Sequence, residues 1–316
     1  MKKITILFVI IVIVIATGII FWIDQNAPAD PKSKTSSIFV VKKGDGVREI
    51  ATNLKAKGLI KNQVIFFLIV KQLGLDKKIQ AGDFRLSPKM TTAEIAQNLT
   101  HGTLDIWITI PEGKRAEEIA EILEKELETY SPSWRATLIS NEGYLFPDTY
   151  LVPKNADINN IISIMKNNFN AKIKSVNLSQ NDSRLKEVII IASLIEREAI
   201  TDNEKPIIAS VIDNRLKAGM SLDIDATLQY IKGQDVTGEW WSIPTIEDKK
   251  IISEFNTYRN AGLPPFPISN PGIEAIKAAL NPQDSDYYYY IHDAEGNVHF
   301  AKTLAEHNAN IKKYGL

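Results

Sequence analysis

The sequence contains no cysteine. That excludes a disulfide framework, thiolate metal ligands and a cysteine nucleophile. Histidine is scarce, with 4 in 316 residues. His292, His299 and His307 show no close helical pairing such as His-Glu-x-x-His, so a metal hydrolase has little support, and no metal and no cofactor is expected. An excess of charge is also missing. The 37 Lys and Arg are matched by 38 Asp and Glu, for a formal net charge of −1. Without a basic stripe, nothing points to nucleic acid. The chain is long enough for two domains with sizeable cores.

What is present begins at the N-terminus. Lys2 and Lys3 precede an uncharged apolar run from Ile4 to Ile23, closed by Asp24. A helix of that length spans about 30 Å, the thickness of a bilayer core. A secretory signal has a shorter apolar region, about 7–15 residues, and Ala27-Pro28-Ala29 is a poor cleavage site. The run is therefore predicted to be an uncleaved single-pass anchor at 4–23. Residues 1–3 would form a cytoplasmic tail, and the rest would lie on the extracytoplasmic side of the plasma membrane. Residues 24–37 read as a linker, with no apolar period.

A first folded unit is expected over 38–102. Ile38 to Val41 reads as a strand, Gly44-Asp45-Gly46 as a turn, and Val47 to about Lys57 as a helix ended by Gly58. Asn62 would cap a second helix, Gly82 to Leu86 form another strand, and Thr91 or Thr92 open a third helix. The tripeptide Glu-Ile-Ala recurs at Glu49, Glu94 and Glu118. An acid in a helix's first turn suits the dipole, so the repeat reads as construction rather than as binding sites. The stretch Val40 to Ala51 resembles the opening of LysM modules, which bind N-acetylglucosamine polymers.

A second unit, 103–316, opens with a strand at Trp107 to Ile110, the turn Pro111-Glu112-Gly113 and an amphipathic helix from Arg115. Asn141 to Tyr150 is rich in aromatic and polar residues and lacks helical period. Residues 255–272 are punctuated by proline and glycine throughout, and a long ordered loop of this kind usually surrounds a site. Between them, Arg184 to Ile200 reads as a buried helix. At 3.6 residues per turn Glu196 lies in line with Leu185, Ile189, Ala192 and Ser193, while Glu198 falls about 200° away. A carboxyl closing an apolar stripe is a potential proton donor with a raised pKa. The alternative is a helix-end glutamate paired with a nearby Arg or Lys.

Five segments together make the chain recognisable. They are Ile110-Pro111-Glu112-Gly113; Glu142-Gly143 with Phe146 to Tyr150; Ala192 to Glu198; Asn214-Arg215-Leu216 with Gly219-Met220 and Asp225; and Asn256-Thr257-Tyr258 with Gly262 to Pro265. In order and spacing they resemble the YceG-like (MltG) family of endolytic murein transglycosylases. Ala226 replaces a usual proline and Phe266 a common glycine.

The resemblance implies an α+β fold: an N-terminal transmembrane helix, a small LysM-like subdomain and a larger catalytic domain. It implies cleavage of the β-1,4 bond between N-acetylmuramic acid and N-acetylglucosamine within peptidoglycan strands, leaving 1,6-anhydro ends. Glu196 would be the catalytic acid and then the base. Glu142, Tyr150, Asn214, Arg215, Asp225, Thr227, Asn256, Thr257 and Tyr258 would bind substrate. Peptidoglycan synthases are implied partners. Two rival readings stay open: a hydrolase pairing Glu196 with Asp223, Asp225 or Glu142, and a non-catalytic wall-binding scaffold.

Overall fold

A computed structural model describes residues 2–33, 35–100 and 105–315, and for residues 2–11 the backbone alone. The chain divides into two compact units, Met1–Ile106 with Leu151–Asn155, and Trp107–Tyr150 with Ala156–Leu316. The expected boundary at 102/103 lies outside the described residues.

In the first unit, helix α1 (Lys2–Asn26) precedes strand β1 (Ser37–Val41), helices α2 (Val47–Ala56) and α3 (Gln63–Gln72), strand β2 (Gly82–Leu86) and helix α4 (Thr92–Asn98). Strands β1 and β2 pair antiparallel, with Phe39 opposite Phe84. Strand alternation turns Phe39, Val41, Phe84 and Leu86 inward, where they meet Leu54, Phe66 and Ile95 in one core. Burying each large side chain contributes roughly 1.5–3 kcal/mol. The helix starts follow the sequence signals. Asn62 Oδ1 accepts from Val64 N–H, and Thr91 forms a capping box with Glu94. The C-terminal end of α1 is tied to this unit, with Lys61 on Asp24 and Trp22 against the core. The expected span 4–23 includes residues 4–11, whose side chains lie outside the described residues. Among the described residues no helix is long and apolar enough to cross a membrane.

The second unit is mainly helical. Strand β3 (Asp105–Thr109) leads to α5 (Ala116–Glu126), α6 (Trp134–Ile139) and strand β4 (Thr149–Pro153), which pairs with β3. Helices α7 (Ile158–Ser175), α8 (Leu185–Glu198), α9 (Lys205–Lys217) and α10 (Asp225–Lys232) follow. A long irregular segment leads to α11 (Ile273–Leu280), the antiparallel hairpin β5 (Tyr289–His292) and β6 (Val298–Ala301), and α12 (Leu304–Tyr314). Helix α8 is the spine. Ile189, Ala192, Leu194 and Ile195 are fully buried in a core shared with α7, α9 and α11. A helix enclosed on most sides has no need of a polar face, which is why a β-branched run folds as helix here.

Candidate active site

The small pair Ala192-Ser193 lets backbone approach α8 closely. Ser193 Oγ donates to Ile190 O and accepts from Ile268 N–H at 3.1 Å, while Ser269 Oγ donates to Ser193 O. These contacts bind the loop before α11 to the middle of α8, one turn before Glu196.

Glu196 has a side chain only 9% exposed. Lys205 Nζ donates to Oε1 at 3.3 Å and Oε2 at 3.4 Å, and Gly272 N–H donates to Oε2 at 3.0 Å. Gly272 is the N-cap of α11, so the positive end of that helix points at the carboxylate. Gly113 closes over the side chain; a Cβ there would stand 3.5 Å from Glu196 Cγ. Glu196 is thus largely enclosed at the end of the apolar stripe, and it is paired with a lysine at the helix end. Arg197, next in line, stacks its guanidinium 3.8 Å from the Trp241 ring, and Trp241 Nε1 donates to Glu118.

Glu198, placed by helical spacing on the other side, is not a spectator. It lines a polar cavity of ≈ 530 Å³ with Arg215, Asp223, Asp225, Tyr258 and Tyr290. Tyr290 Oη donates to it at 2.6 Å. Burial pushes the Glu198 carboxyl up, the Tyr290 bond lowers it in part, and the nearby Asp225 raises it. Tyr258 Oη donates to Asp225 Oδ1 at 2.7 Å, and burial holds that phenol well above its ordinary range.

Of the nine residues expected to bind substrate, Arg215, Asp225 and Tyr258 come together on this cavity. The other six are placed differently. Glu142 is buried and accepts from Ala116 N–H and Asn270 Nδ2. Burial lifts its carboxyl to about 8, with the Ala116 bond opposing. Tyr150 donates to Phe146 O and accepts from Asn168 Nδ2, and burial pushes its phenol up to about 12. Asn214 Nδ2 donates to Ser285 O and Tyr287 O, anchoring the segment before β5. Thr227, Asn256 and Thr257 are at most 1% exposed. Thr257 Oγ1 accepts from Ile224 N–H and bonds the Thr227 hydroxyl, while Asn256 Nδ2 donates to Lys249 O and Ile251 O. In the structure these six spend their polar groups on loops and backbone rather than facing open space.

Sequence reasoning missed Lys205 and Asn270. Lys205 stands just before the helix-opening Pro206, a position that says nothing about Glu196 nine residues earlier. Asn270 is completely buried: Oδ1 accepts from Gly143 and Leu145 N–H, and Nδ2 donates to Lys114 O and Glu142 Oε1. Its signal was present in the loop 255–272, but only the fold names its partners. The three C-terminal histidines do not gather: His292 meets Glu204, His299 meets Asp293, and His307 stacks on Tyr289. Among the described residues no cluster of His, Asp or Glu suited to a metal is found.

The model of the YceG-like family matches residues 39–313. An endolytic murein transglycosylase of Bacillus subtilis is 32% identical over 320 residues, covering 91% of this chain and 87% of that protein. One of Streptococcus pneumoniae is 28% identical over 345 residues, covering 94% of this chain but 62% of its own length. The crystal structure of a yceG-like protein of Listeria monocytogenes is similar with a TM-score of 0.55 and 32% identity, covering 88% of this chain and 100% of that one. Motifs, fold and matched length agree, and the chain belongs to the YceG-like family.

Proposed function

We propose that the protein is an endolytic murein transglycosylase, cleaving the β-1,4 bond between N-acetylmuramic acid and N-acetylglucosamine inside peptidoglycan strands. The observation that carries the reading is Glu196: a carboxyl buried at the end of a core helix, fixed by Lys205 and the Gly272 N–H, in a chain of this family. Glu196 protonates the leaving oxygen. The Glu196 carboxylate left behind then takes the proton of the muramic acid C6 hydroxyl, whose oxygen attacks C1 and closes the 1,6-anhydro ring. Because the nucleophile belongs to the substrate, no carboxylate has to activate water, as one must in an inverting glycosidase.

Arg215, Asp225 and Tyr258 form the substrate-facing wall, and the other six residues of the same motifs hold that wall in place. Residues 103–316 act as the catalytic domain. The 38–102 part, with two helices between paired strands, acts as a LysM-like unit that orients it. The apolar run 4–23 behind Lys2 and Lys3 supports a single-pass anchor in the plasma membrane, with the catalytic domain outside. A peptidoglycan synthase that supplies nascent strands fits as partner.

The test is digestion of purified glycan strands followed by mass analysis. Product ends lighter by one water than hydrolysed ends are expected. Reducing muramic acid ends would overturn the reading in favour of a hydrolase.

A further inference from the structure

Helix α3 is apolar on both faces. Ile65, Phe66, Ile69 and Val70 fill the core of the first unit, yet Val64 and Leu68 on the outer face are 58% and 44% exposed. A helix apolar all round is normally enclosed on every side. Here a groove of ≈ 520 Å³ stays open between α3 and α2, lined by Arg48 and Thr52 on one side and by Val64, Phe67 and Leu68 on the other. The Arg48 guanidinium lies 5.4 Å from the centre of the Phe67 ring.

The start of α3 is tied to the end of α1. Lys61, just before the N-cap Asn62, donates to Asp24 O at 3.0 Å and to Asp24 Oδ1 at 3.1 Å. Asn26 Oδ1 accepts from Ala93 N–H, and Trp22 packs on the core of the unit. Asp24 closes the apolar run of α1, so an anchor would leave the hydrocarbon there. Val12 to Ile15, Ile19 to Phe21 and Ile23 are 46–66% exposed, so among the described residues nothing in the chain wraps that helix. At 1.5 Å per residue, Val64 and Leu68 lie within about 10 Å of Lys61 along α3. The headgroup layer extends about 5–8 Å beyond the hydrocarbon, so this face is within its reach.

Charge points to the same occupant. Residues 38–100 carry 11 Lys and Arg against 5 Asp and Glu, a net +6 in a chain whose total is −1. Arg48 and Lys55 are both exposed on α2 and, two turns apart, share one side of it. We propose that the α2–α3 face docks on the outer leaflet of the membrane that holds α1. Val64, Phe67 and Leu68 enter the acyl boundary, and Arg48 and Lys55 meet anionic headgroups. An anionic wall polymer would satisfy the basic residues but would leave the apolar side of the groove in water. The inference rests on the anchor reading and deepens it. A unit held to the bilayer at two places cannot turn freely about α1, which gives its orienting role a physical basis.

The chain has no native cysteine, so one introduced thiol gives one labelling site. The full chain is reconstituted in vesicles with about a third anionic lipid, carrying an environment-sensitive fluorophore on Leu68→Cys or, in a second sample, on Ile15→Cys. Nitroxide lipids then report depth by quenching. The Leu68 probe is expected to be blue-shifted and quenched by a nitroxide at headgroup level, and the Ile15 probe by one deep in the acyl chains. Arg48→Glu combined with Lys55→Glu should cut the quenching at Leu68 at least about twofold, as should salt at about 1 M, and leave that at Ile15 unchanged. Water-like emission at Leu68 beside a quenched Ile15 probe overturns the proposal and leaves the anchor standing. A blue-shifted Leu68 probe that no nitroxide lipid quenches shows a protein on the groove, and overturns it as well. An Ile15 probe that stays in water sinks the anchor reading itself, and the proposal with it.

Discussion

Lys205 Nζ stands 3.3 Å from Glu196 Oε1 and 3.4 Å from Oε2, with both side chains less than a tenth exposed. The start of α9 and the end of α8 are held together by this pair. Asp202 takes a further bond from the same ammonium at 2.8 Å. A pair this enclosed is costly to break, because removing one member leaves the other charge buried without a counterion.

Lys205→Met should therefore destabilise the fold by about 3 kcal/mol and lower turnover strongly. Adding Glu196→Gln to it should recover most of the lost stability, since the orphaned charge is then gone. Urea denaturation of the two single variants and the double variant gives the coupling energy. A double variant whose loss equals the sum of the single losses would show that the two groups do not act as a pair.

Asn270 joins the 113–114 turn, the Glu142–Leu145 loop and the segment before α11 through four side-chain bonds. Asn270→Ala leaves several buried groups unpaired and should cost about 2–4 kcal/mol. Because Gly272 is two residues away and holds Glu196, turnover should fall more than stability alone explains. Activity measured well below the melting temperature separates the two effects; full turnover there would remove Asn270 from any role in shaping the site.

Glu142 titrates at about 8 in the folded chain, against an ordinary value of 4.5. The folded state therefore keeps a proton that the unfolded state gives up. The stability tied to this group is fully present below pH 4.5 and is lost as pH rises toward 8, by up to about 1.4 kcal/mol per pH unit. The urea midpoint of the wild type should fall across that window, and Glu142→Gln, which cannot titrate, should show a flatter profile. Parallel profiles for the two proteins would place Glu142 outside the pH response.

Periodicity made several elements legible. The Asn62 and Thr91 caps and the strand at Gly82 to Leu86 stand where local signals put them. Helix α8 was legible too, because a β-branched run too long for a strand and closed by charges has few other solutions. Glu196 could be singled out from the helical face it shares with Ile189 and Ala192. Its partners could not, since Lys205 and Gly272 meet it through tertiary contacts with no local pattern. The surroundings of Glu198 were hidden for a related reason. Spacing gave its direction correctly, but the far side of α8 is not solvent; it faces Tyr290 and Asp225. A motif also hides differences among its members, as Asn256-Thr257-Tyr258 illustrates: adjacent residues share a pattern while one faces the cavity and two lie beneath it.

That difference yields the last prediction. Thr257 is 1% exposed, and its hydroxyl accepts from Ile224 N–H and bonds Thr227. Tyr258, the next residue, lines the polar cavity and donates to Asp225 at 2.7 Å. Thr257→Val keeps the shape but removes the hydroxyl, leaving the Ile224 amide unpaired in the interior. It should cost about 1–3 kcal/mol, with KM close to the wild-type value. Tyr258→Phe removes a hydroxyl from the cavity wall and frees Asp225, with little change in packing. Its effect should fall on substrate binding, raising KM about tenfold, while the melting temperature moves little. Kinetics and thermal melts on the two variants test the assignment together. If Tyr258→Phe lowers the melting temperature and leaves KM unchanged, the cavity wall is structural, and the glycan strand must be held elsewhere.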